Sequence, residues 1–156
     1  KKGFSDGLAA FKIAQDKFPH LELIIFGAYR PGPEVPKTAR FYYHPTGKKL
    51  GALYQEADIF LWPSRLEGFG LPPLEAMASG AAVVMTNTGA ASDYAINNEN
   101  ALIVPPGDIN ALSAALITLI TQPEKRISLA RAGEIKAREF SQEKSDRQLE
   151  KIILQV

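Results

Sequence analysis

Short apolar runs alternate with amphipathic stretches along the chain. Five runs rich in Ile, Val, Leu and aromatic residues predict strands, at residues 21–27, 39–44, 58–63, 81–86 and 101–105. The runs are continuous rather than alternating in and out, which is typical of strands that are buried on both faces. Stretches with apolar residues at helical spacing separate them. The pattern predicts an α/β fold with an open, Rossmann-like parallel sheet and helices on both faces.

Start and stop signals indicate where the helices lie. Ser5 or Asp6 is expected to cap the first helix, and Asp108 to cap the helix at residues 109–121. Gly80 is expected to end a helix that begins near residue 72, because glycine adopts the left-handed conformation that follows many helices. The other helices are expected at residues 48–57, 93–96, 123–140 and 142–154.

Composition limits the classes of function. The chain has 156 residues, of which 46% are apolar, and this is enough for the core of one compact domain. Its 18 basic residues are balanced by 17 acidic ones, so no basic surface for nucleic acid is expected. Without cysteine a disulfide framework is excluded, and the composition fits the reducing cytoplasm.

The segment "PSRLEGFGLPPLEAMASG", residues 63–80, combines features that a plain core element does not need. It lies between a predicted strand and a predicted helix, so its loop should leave the sheet at the carboxyl end of the strand, where ligands bind in such folds. Gly68 and Gly70 allow the backbone to approach a ligand closely. With the amides of Phe69, Gly70 and Leu71, the start of the helix forms a predicted anion site.

Two carboxylates flank this anion site. Glu67 lies in the loop, and Glu75 is placed in the first turn of the helix. A carboxylate can accept hydrogen bonds from two hydroxyls at once, so the layout suits a ligand with a sugar, a diphosphate and a ribose. A purely structural role is the open alternative, because the helix dipole alone favours glutamate near a helix start.

At this point the sequence resembles the retaining group-1 glycosyltransferases of the GT-B fold. "EGFGLPPLEAMASG" is similar to their E-x7-E motif, and the flanking "ADIFLWPS", "AAVVMTNTG" and "NALIVPPGD" agree with it. The resemblance extends from residue 2 to about residue 140. It implies the C-terminal, donor-binding half of that fold, in which the substrate is a nucleotide-diphosphate sugar.

The resemblance also implies a role for each matching residue. Glu67 would contact the hydroxyls of the donor sugar, and Glu75 would hold the ribose. Lys2 would neutralise the diphosphate, with a solvated lysine as the open alternative. The remaining predicted donor-binding residues surround these three, and they are Gly27, Ser64, Gly68, Phe69, Gly70 and Leu71.

Some expectations concern what is lacking. The family has an arginine shortly before the lysine, whereas Lys2 stands at the start of this chain. We therefore expect residues 1–156 to be one nucleotide-sugar-binding domain, a fragment without its first strand and without the N-terminal acceptor domain. Neither an Asp-x-Asp motif nor a His cluster is present, so we expect a site without metal and without cofactor.

The sequence thus predicts the donor half of a retaining glycosyltransferase for polysaccharide or glycolipid synthesis. Its acceptor, a carbohydrate or a lipid-linked one, would bind through the other domain, and the isolated fragment is expected to be inactive. A nucleotide-sugar epimerase and a non-catalytic nucleotide-binding module are the alternatives. His20 and His44 are poorly placed for epimerase chemistry. The expected location is the cytoplasm, with peripheral association at the inner face of the membrane left open.

Overall fold

The structure is a computed structural model, and it describes residues 2–29, 32–89 and 91–140. The predicted helix at residues 142–154 lies outside these residues. In chain order the helices and strands are α1 (Phe4–Lys17), β1 (Ile24–Gly27), β2 (Arg40–Tyr43), α2 (Gly47–Glu56), β3 (Ile59–Trp62), α3 (Leu71–Ala78), β4 (Ala82–Thr86), α4 (Ala91–Tyr94), β5 (Leu102–Val104), α5 (Ile109–Thr121) and α6 (Pro123–Ala137), followed by a 3₁₀ turn, Arg138–Phe140.

Strands and helices alternate, and the strands pair in parallel, so the predicted Rossmann-like α/β fold is confirmed. One detail differs from the prediction of a continuous sheet. Among the described residues, β1 pairs only with β2, while β3, β4 and β5 form a second sheet in that order. Hydrogen-bonded strands must lie about 5 Å apart, and no backbone ladder joins β1 to β3 within the described part of the chain.

Aromatic side chains connect the two sheets where backbone pairing stops. Phe26 of β1 stacks on Phe60 of β3 with 6.3 Å between ring centroids. The ring of Tyr54, which projects from α2, contacts both of them edge-on. Side-chain packing therefore holds β1 beside β3. The expectation that a first strand is lacking stays a prediction.

The core lies on both faces of β4. Every residue of this strand is buried, and successive side chains point to opposite faces. Val83 and Met85 pack in a cluster with side chains of α3. Ala82 and Val84 pack in a second cluster with side chains of α1 and α5. Helices thus cover both faces, as predicted. Across the residues that the structure describes, no helix is long and apolar enough to cross a membrane.

The helix ends follow the expected signals with three corrections. The Asp108 side chain accepts a hydrogen bond from the amide of Ala111 at 2.8 Å, so its predicted cap is confirmed. Gly80 follows α3 at a positive φ, also as predicted. By contrast α1 begins at Phe4, directly after Gly3, and no side chain in the described ranges caps it. α4 starts two residues earlier than predicted, and α6 gives way to the 3₁₀ turn before residue 140.

Candidate functional site

The two residues predicted to perform the chemistry are in direct contact. Lys2 Nζ lies 2.7 Å from Oε1 and 2.9 Å from Oε2 of Glu67. The same ammonium stands 5.6 Å from the centre of the Trp62 ring, at the end of β3. The lysine side chain is 66% exposed and the glutamate side chain 10%. A shielded carboxylate and a solvent-facing ammonium thus meet where β3 ends.

The loop at residues 63–70, called the glutamate loop below, is stabilised by hydrogen bonds from two hydroxyl groups, those of Ser64 and Thr86. Ser64 is fully buried, and its Oγ lies 2.7 Å from Glu67 Oε1 and 3.1 Å from the carbonyl oxygen of Leu66. Thr86, the last residue of β4, donates to the carbonyl of Ser64. Since Ser64 faces inward, its contact is with the carboxylate of Glu67, and any effect on a donor would pass through that carboxylate.

The predicted anion site follows in the same loop. Gly70 has a φ of 81° and precedes α3, and a Cβ there would lie 2.9 Å from the Tyr94 hydroxyl. That hydroxyl donates to the Gly70 carbonyl at 3.0 Å. Burial, with the negative charges of Glu67 and Asp93, raises the pKa of Tyr94 to about 12, so it remains a donor at neutral pH.

The other predicted residues of this stretch differ in exposure. Gly68, Phe69 and Leu71 face solvent, although the Phe69 ring also packs 5.6 Å from the ring of Tyr94. Anion binding by the amides of Phe69, Gly70 and Leu71 stays a prediction. Their position before and at the first residue of α3 leaves their N–H groups outside the regular helix ladder.

The second predicted carboxylate has a different environment. Glu75 is the fifth residue of α3, one position beyond the first turn in which the sequence placed it, because the helix begins at Leu71. Its residue is exposed, yet its Oε2 accepts a hydrogen bond from the Tyr54 hydroxyl at 2.8 Å. Glu67 therefore has a cationic partner, whereas Glu75 has a neutral phenol.

Gly27 is the last residue of β1. It pairs with Tyr43 of β2, and its carbonyl accepts from the amide of His44 at 2.8 Å. Among the described residues no atom lies within 4 Å of a Cβ built on it, so this part of the structure leaves the backbone there open to approach. Its donor-binding role stays a prediction.

Sequence reasoning missed an ion pair that ties the glutamate loop to α1. From the sequence, Asp6 was expected only as one of two candidate caps of the first helix. The structure shows the guanidinium of Arg65 bonded to the buried Asp6 carboxylate and packed over Gly107. Gly3 lies against the carbonyl of Pro63 at the same junction. Recurrent small residues at positions 3 and 107 were the only sequence signal of this close packing.

The loop after β4 closes the site from another side. A Cβ on Gly89 would lie 2.0 Å from the carbonyl oxygen of Gly68 and 2.7 Å from that of Glu67. Thr88 Oγ1 is shielded from solvent there and has no hydrogen-bond partner in the described ranges. Beside Lys2 there is also an open cavity of about 560 Å³, which is lined by Lys2, Gly3, Phe4, Ser5 and Arg65.

This arrangement provides hydrogen-bonding and charged groups but not a metal-binding set. Searched over residues 2–29, 32–89 and 91–140, the chain has no group of three or more Asp, Glu or His side chains placed to hold an ion. The expectation of a site without metal stays a prediction. Chemically, an ammonium, two carboxylates and loop amides can bind a ligand that carries both anionic groups and hydroxyls.

Comparison with known proteins identifies the relatives of this chain. The model of the family described as glycosyl transferases group 1 matches residues 1–136. D-inositol 3-phosphate glycosyltransferase of Corynebacterium urealyticum is 32% identical over 115 residues, which are 74% of this chain. The chain spans only 27% of that protein's length.

Solved structures agree on the fold. The C-terminal domain of a group 1 glycosyl transferase family protein, LpcC from Francisella tularensis, superposes with a TM-score of 0.77 at 26% identity, over 88% of this chain and 78% of that one. Anabaena HepE, solved in complex with UDP-glucose, gives a TM-score of 0.85 over 99% of this chain and 46% of that one. At 20% identity the second likeness shows the fold alone.

Proposed function

The chain belongs to the group 1 glycosyltransferases, and from that premise we propose that it is the donor-binding domain of a retaining transferase. The donor is a nucleotide-diphosphate sugar, and the acceptor is a carbohydrate or a lipid-linked saccharide in polysaccharide or glycolipid synthesis. HepE, which shares the fold, was solved with UDP-glucose. Cytoplasmic location, with peripheral contact to the membrane, belongs to the same proposal.

The contact between Lys2 and Glu67 carries this proposal. Two groups of opposite charge that are predicted to bind the donor contact each other, at 2.7 and 2.9 Å. A nucleotide-diphosphate sugar has a complementary partner for each, since its diphosphate suits the ammonium and its hydroxyls suit the carboxylate. Donor binding would therefore replace one ion pair by two charge-assisted interactions, and the lysine side chain is exposed to an arriving ligand.

The same groups have roles in the transfer step. As the bond between the anomeric carbon and the diphosphate breaks, negative charge grows on the leaving oxygen. Lys2 and the start of α3 would stabilise that charge, and groups already oriented in the site do so without reorganisation. Glu67, held by Ser64, would keep the sugar in place through its hydroxyls. Ser64 therefore supports the reacting sugar indirectly.

The proposal is tested by the thermal unfolding of the full-length protein with a panel of nucleotide sugars. At least one donor should raise the unfolding temperature, and the matching nucleoside diphosphate should raise it too. Transfer to a saccharide acceptor separates the proposal from an epimerase, which would change the sugar without an acceptor. If no nucleotide sugar and no nucleoside diphosphate shifts unfolding, the proposed function is wrong.

A further inference from the structure

Tyr54 connects the interior of the domain to one of the two predicted binding carboxylates. The residue lies near the end of α2 and is only 3% exposed. Its hydroxyl donates to Glu75 Oε2 at 2.8 Å. A buried tyrosine hydroxyl needs a hydrogen-bond partner, and here the partner is an otherwise exposed glutamate on α3. The bond fixes one carboxylate oxygen, while Oε1 has no hydrogen bond or ion pair to the described residues.

The ring of Tyr54 is immobilised from two sides. Phe26 of β1 contacts it with centroids 5.2 Å apart at 82°, and Phe60 of β3 with centroids 5.5 Å apart at 62°. A tyrosine side chain has only two torsions, so rings on both sides leave little freedom to its hydroxyl. The oxygen that Glu75 contacts thus has a fixed position set by three separate elements.

The phenol also keeps its proton. Burial, then the hydrogen bond to Glu75 and its negative charge, raise the pKa of Tyr54 far above its ordinary value of 10.0. The hydroxyl therefore stays protonated at neutral pH and can donate to Glu75. It serves as a hydrogen-bond donor rather than as an acid or base, and Glu75 is its acceptor.

From these contacts we infer that Tyr54 is a positioning residue that orients Glu75 to receive the two vicinal hydroxyls of the donor ribose. The inference rests on the proposed function. A carboxylate on an exposed helix surface samples several rotamers, and a ligand must then restrict them at a cost in binding free energy. The buried hydroxyl restricts them in advance. Its contribution should therefore appear only with ligands that carry the ribose hydroxyls.

A purely structural Tyr54 predicts a different result. If its ring only fills the core, phenylalanine would replace it without changing ligand discrimination, because the two side chains differ by one oxygen. Tyr54→Phe therefore removes the proposed role and keeps the packing with Phe26 and Phe60. Tyr42→Phe is the matched control, since Tyr42 is a half-buried tyrosine on β2 with no hydrogen bond to Glu75.

The experiment measures calorimetric binding of UDP, GDP and ADP to the full-length protein, of their 2′,3′-dideoxy forms, and of inorganic pyrophosphate. For the nucleotide that the wild type prefers, Tyr54→Phe should weaken ribonucleotide binding about 5- to 20-fold. Binding of the dideoxy form and of pyrophosphate should be unchanged. Tyr54→Phe combined with Glu75→Gln should be no weaker than Glu75→Gln alone, because the hydroxyl acts through the carboxylate.

Each outcome is informative. If Glu75→Gln weakens ribonucleotide binding and Tyr54→Phe does not, this inference is overturned and the proposed function stands. Equal weakening for ribose and dideoxy forms also overturns it, since that result indicates a general structural effect. If the wild type binds none of the three nucleotides, the proposed function fails, and the inference fails with it. Unfolding temperatures of all variants confirm that each is folded.

Discussion

Arg65 of the glutamate loop binds Asp6 of α1 through two parallel hydrogen bonds, Nε to Oδ2 at 2.7 Å and Nη2 to Oδ1 at 2.8 Å. The carboxylate side chain is 5% exposed and the guanidinium side chain 56%. Lys2 precedes α1, and Glu67 lies two residues after Arg65 in the glutamate loop. The ion pair between Asp6 and Arg65 therefore fixes the position of Lys2 relative to Glu67. Planar two-point geometry also resists rotation better than a single contact.

Asp6→Asn should destabilise the protein at neutral pH and matter less in acid. The hydrogen bond from Arg65 holds the pKa of Asp6 below its ordinary value of 3.8. A carboxyl group whose pKa falls on folding stabilises the fold above its unfolded pKa, and this contribution disappears as the pH falls through the folded one. The difference in unfolding temperature between wild type and Asp6→Asn should therefore shrink below pH 3.8.

Circular dichroism of thermal unfolding at a series of pH values measures this difference. Asp16→Asn is the control, because Asp16 is an exposed carboxylate on the same helix. Its substitution should leave the unfolding temperature nearly unchanged at every pH. A wild-type advantage over Asp6→Asn that stays constant from neutral to strongly acidic pH would contradict the role assigned to the ion pair.

The pair also illustrates the limit of sequence reasoning. Local signals predicted the strands, most of the helices and the cap at Asp108, because these depend on residues a few positions apart. Asp6 and Arg65 are 59 positions apart, and each has a common local explanation, as a helix-capping residue and as a solvated cation. Only the tertiary arrangement reveals the partner. The same holds for Tyr54 and Glu75, 21 positions apart on different helices.

Substitution of the two glutamates should separate binding from turnover. Glu75→Ala should weaken nucleotide binding, since ribose is held alike in the ground and transition states. Glu67→Ala should mainly lower kcat, since it contacts the reacting sugar. A lost charged hydrogen bond corresponds to about one to two decades in either quantity. Steady-state kinetics and nucleotide titrations of the full-length protein measure both effects.

The control for both variants is Glu99→Ala, which removes an exposed glutamate from the turn before β5. It should leave kcat and nucleotide affinity unchanged. Unaltered kinetics in both Glu67→Ala and Glu75→Ala would contradict the assignment of the motif to donor binding, whatever the effect of Glu99→Ala.

Gly89→Ala should destabilise the protein through backbone strain and should also displace the glutamate loop. Gly89 has a φ of 58°, and the new Cβ would lie 2.0 Å from the Gly68 carbonyl oxygen, so the glutamate loop must move. Gly47→Ala is the matched control, with a φ of 52° and, within the described part of the chain, no atom within 4 Å of the new Cβ. Alanine in the left-handed region costs about 1–2 kcal/mol at either position.

Both alanine variants should therefore unfold at lower temperature, with a larger decrease for Gly89→Ala. Only Gly89→Ala should also lose nucleoside diphosphate binding. Thermal unfolding followed by calorimetric titration measures the two effects in sequence. Equal decreases in stability with intact binding in both variants would show that the loop after β4 does not control the position of the glutamate loop.

Amide hydrogen exchange should reveal the break between the two sheets. β4 is buried and paired on both sides, whereas β1 and β3 each have one edge without a ladder among the described strands. Alternate amides of β1 and β3 that face the break should exchange at least about ten times faster than those of β4. Mass spectrometric or NMR exchange measures this, and equal protection in all three strands would contradict it.

This break explains a second limit of the sequence prediction. The apolar runs of β1 and β3 indicate central strands, and both strands are only partly buried. Hydrophobic periodicity reports the tendency of side chains to be buried, not which backbone edges pair. The order of strands depends on long-range contacts instead. Side chains of α1 and α5 pack against one face of β4, and Phe26 packs on Phe60 between the two sheets.

The last prediction concerns the isolated chain, which should fold and bind nucleoside diphosphate weakly but transfer no sugar. Its core and helix ends are formed by its own residues. Retaining transfer also needs an acceptor hydroxyl held against the anomeric carbon, and alignment of two reactants can supply about 7–11 kcal/mol of the barrier. In a GT-B enzyme the opposite wall of the cleft, which holds the acceptor, comes from the other domain.

Transfer from a labelled donor is compared between residues 1–156 and the full-length protein at equal concentration. The exposed Lys2 of the isolated chain faces water, which weakens its interaction with a diphosphate relative to a closed cleft. Weak binding should therefore survive through Glu75 and the amides of Phe69, Gly70 and Leu71, while turnover should be undetectable. Comparable turnover by residues 1–156 would show that the second wall is dispensable, and the assignment of acceptor alignment to another domain would then be wrong.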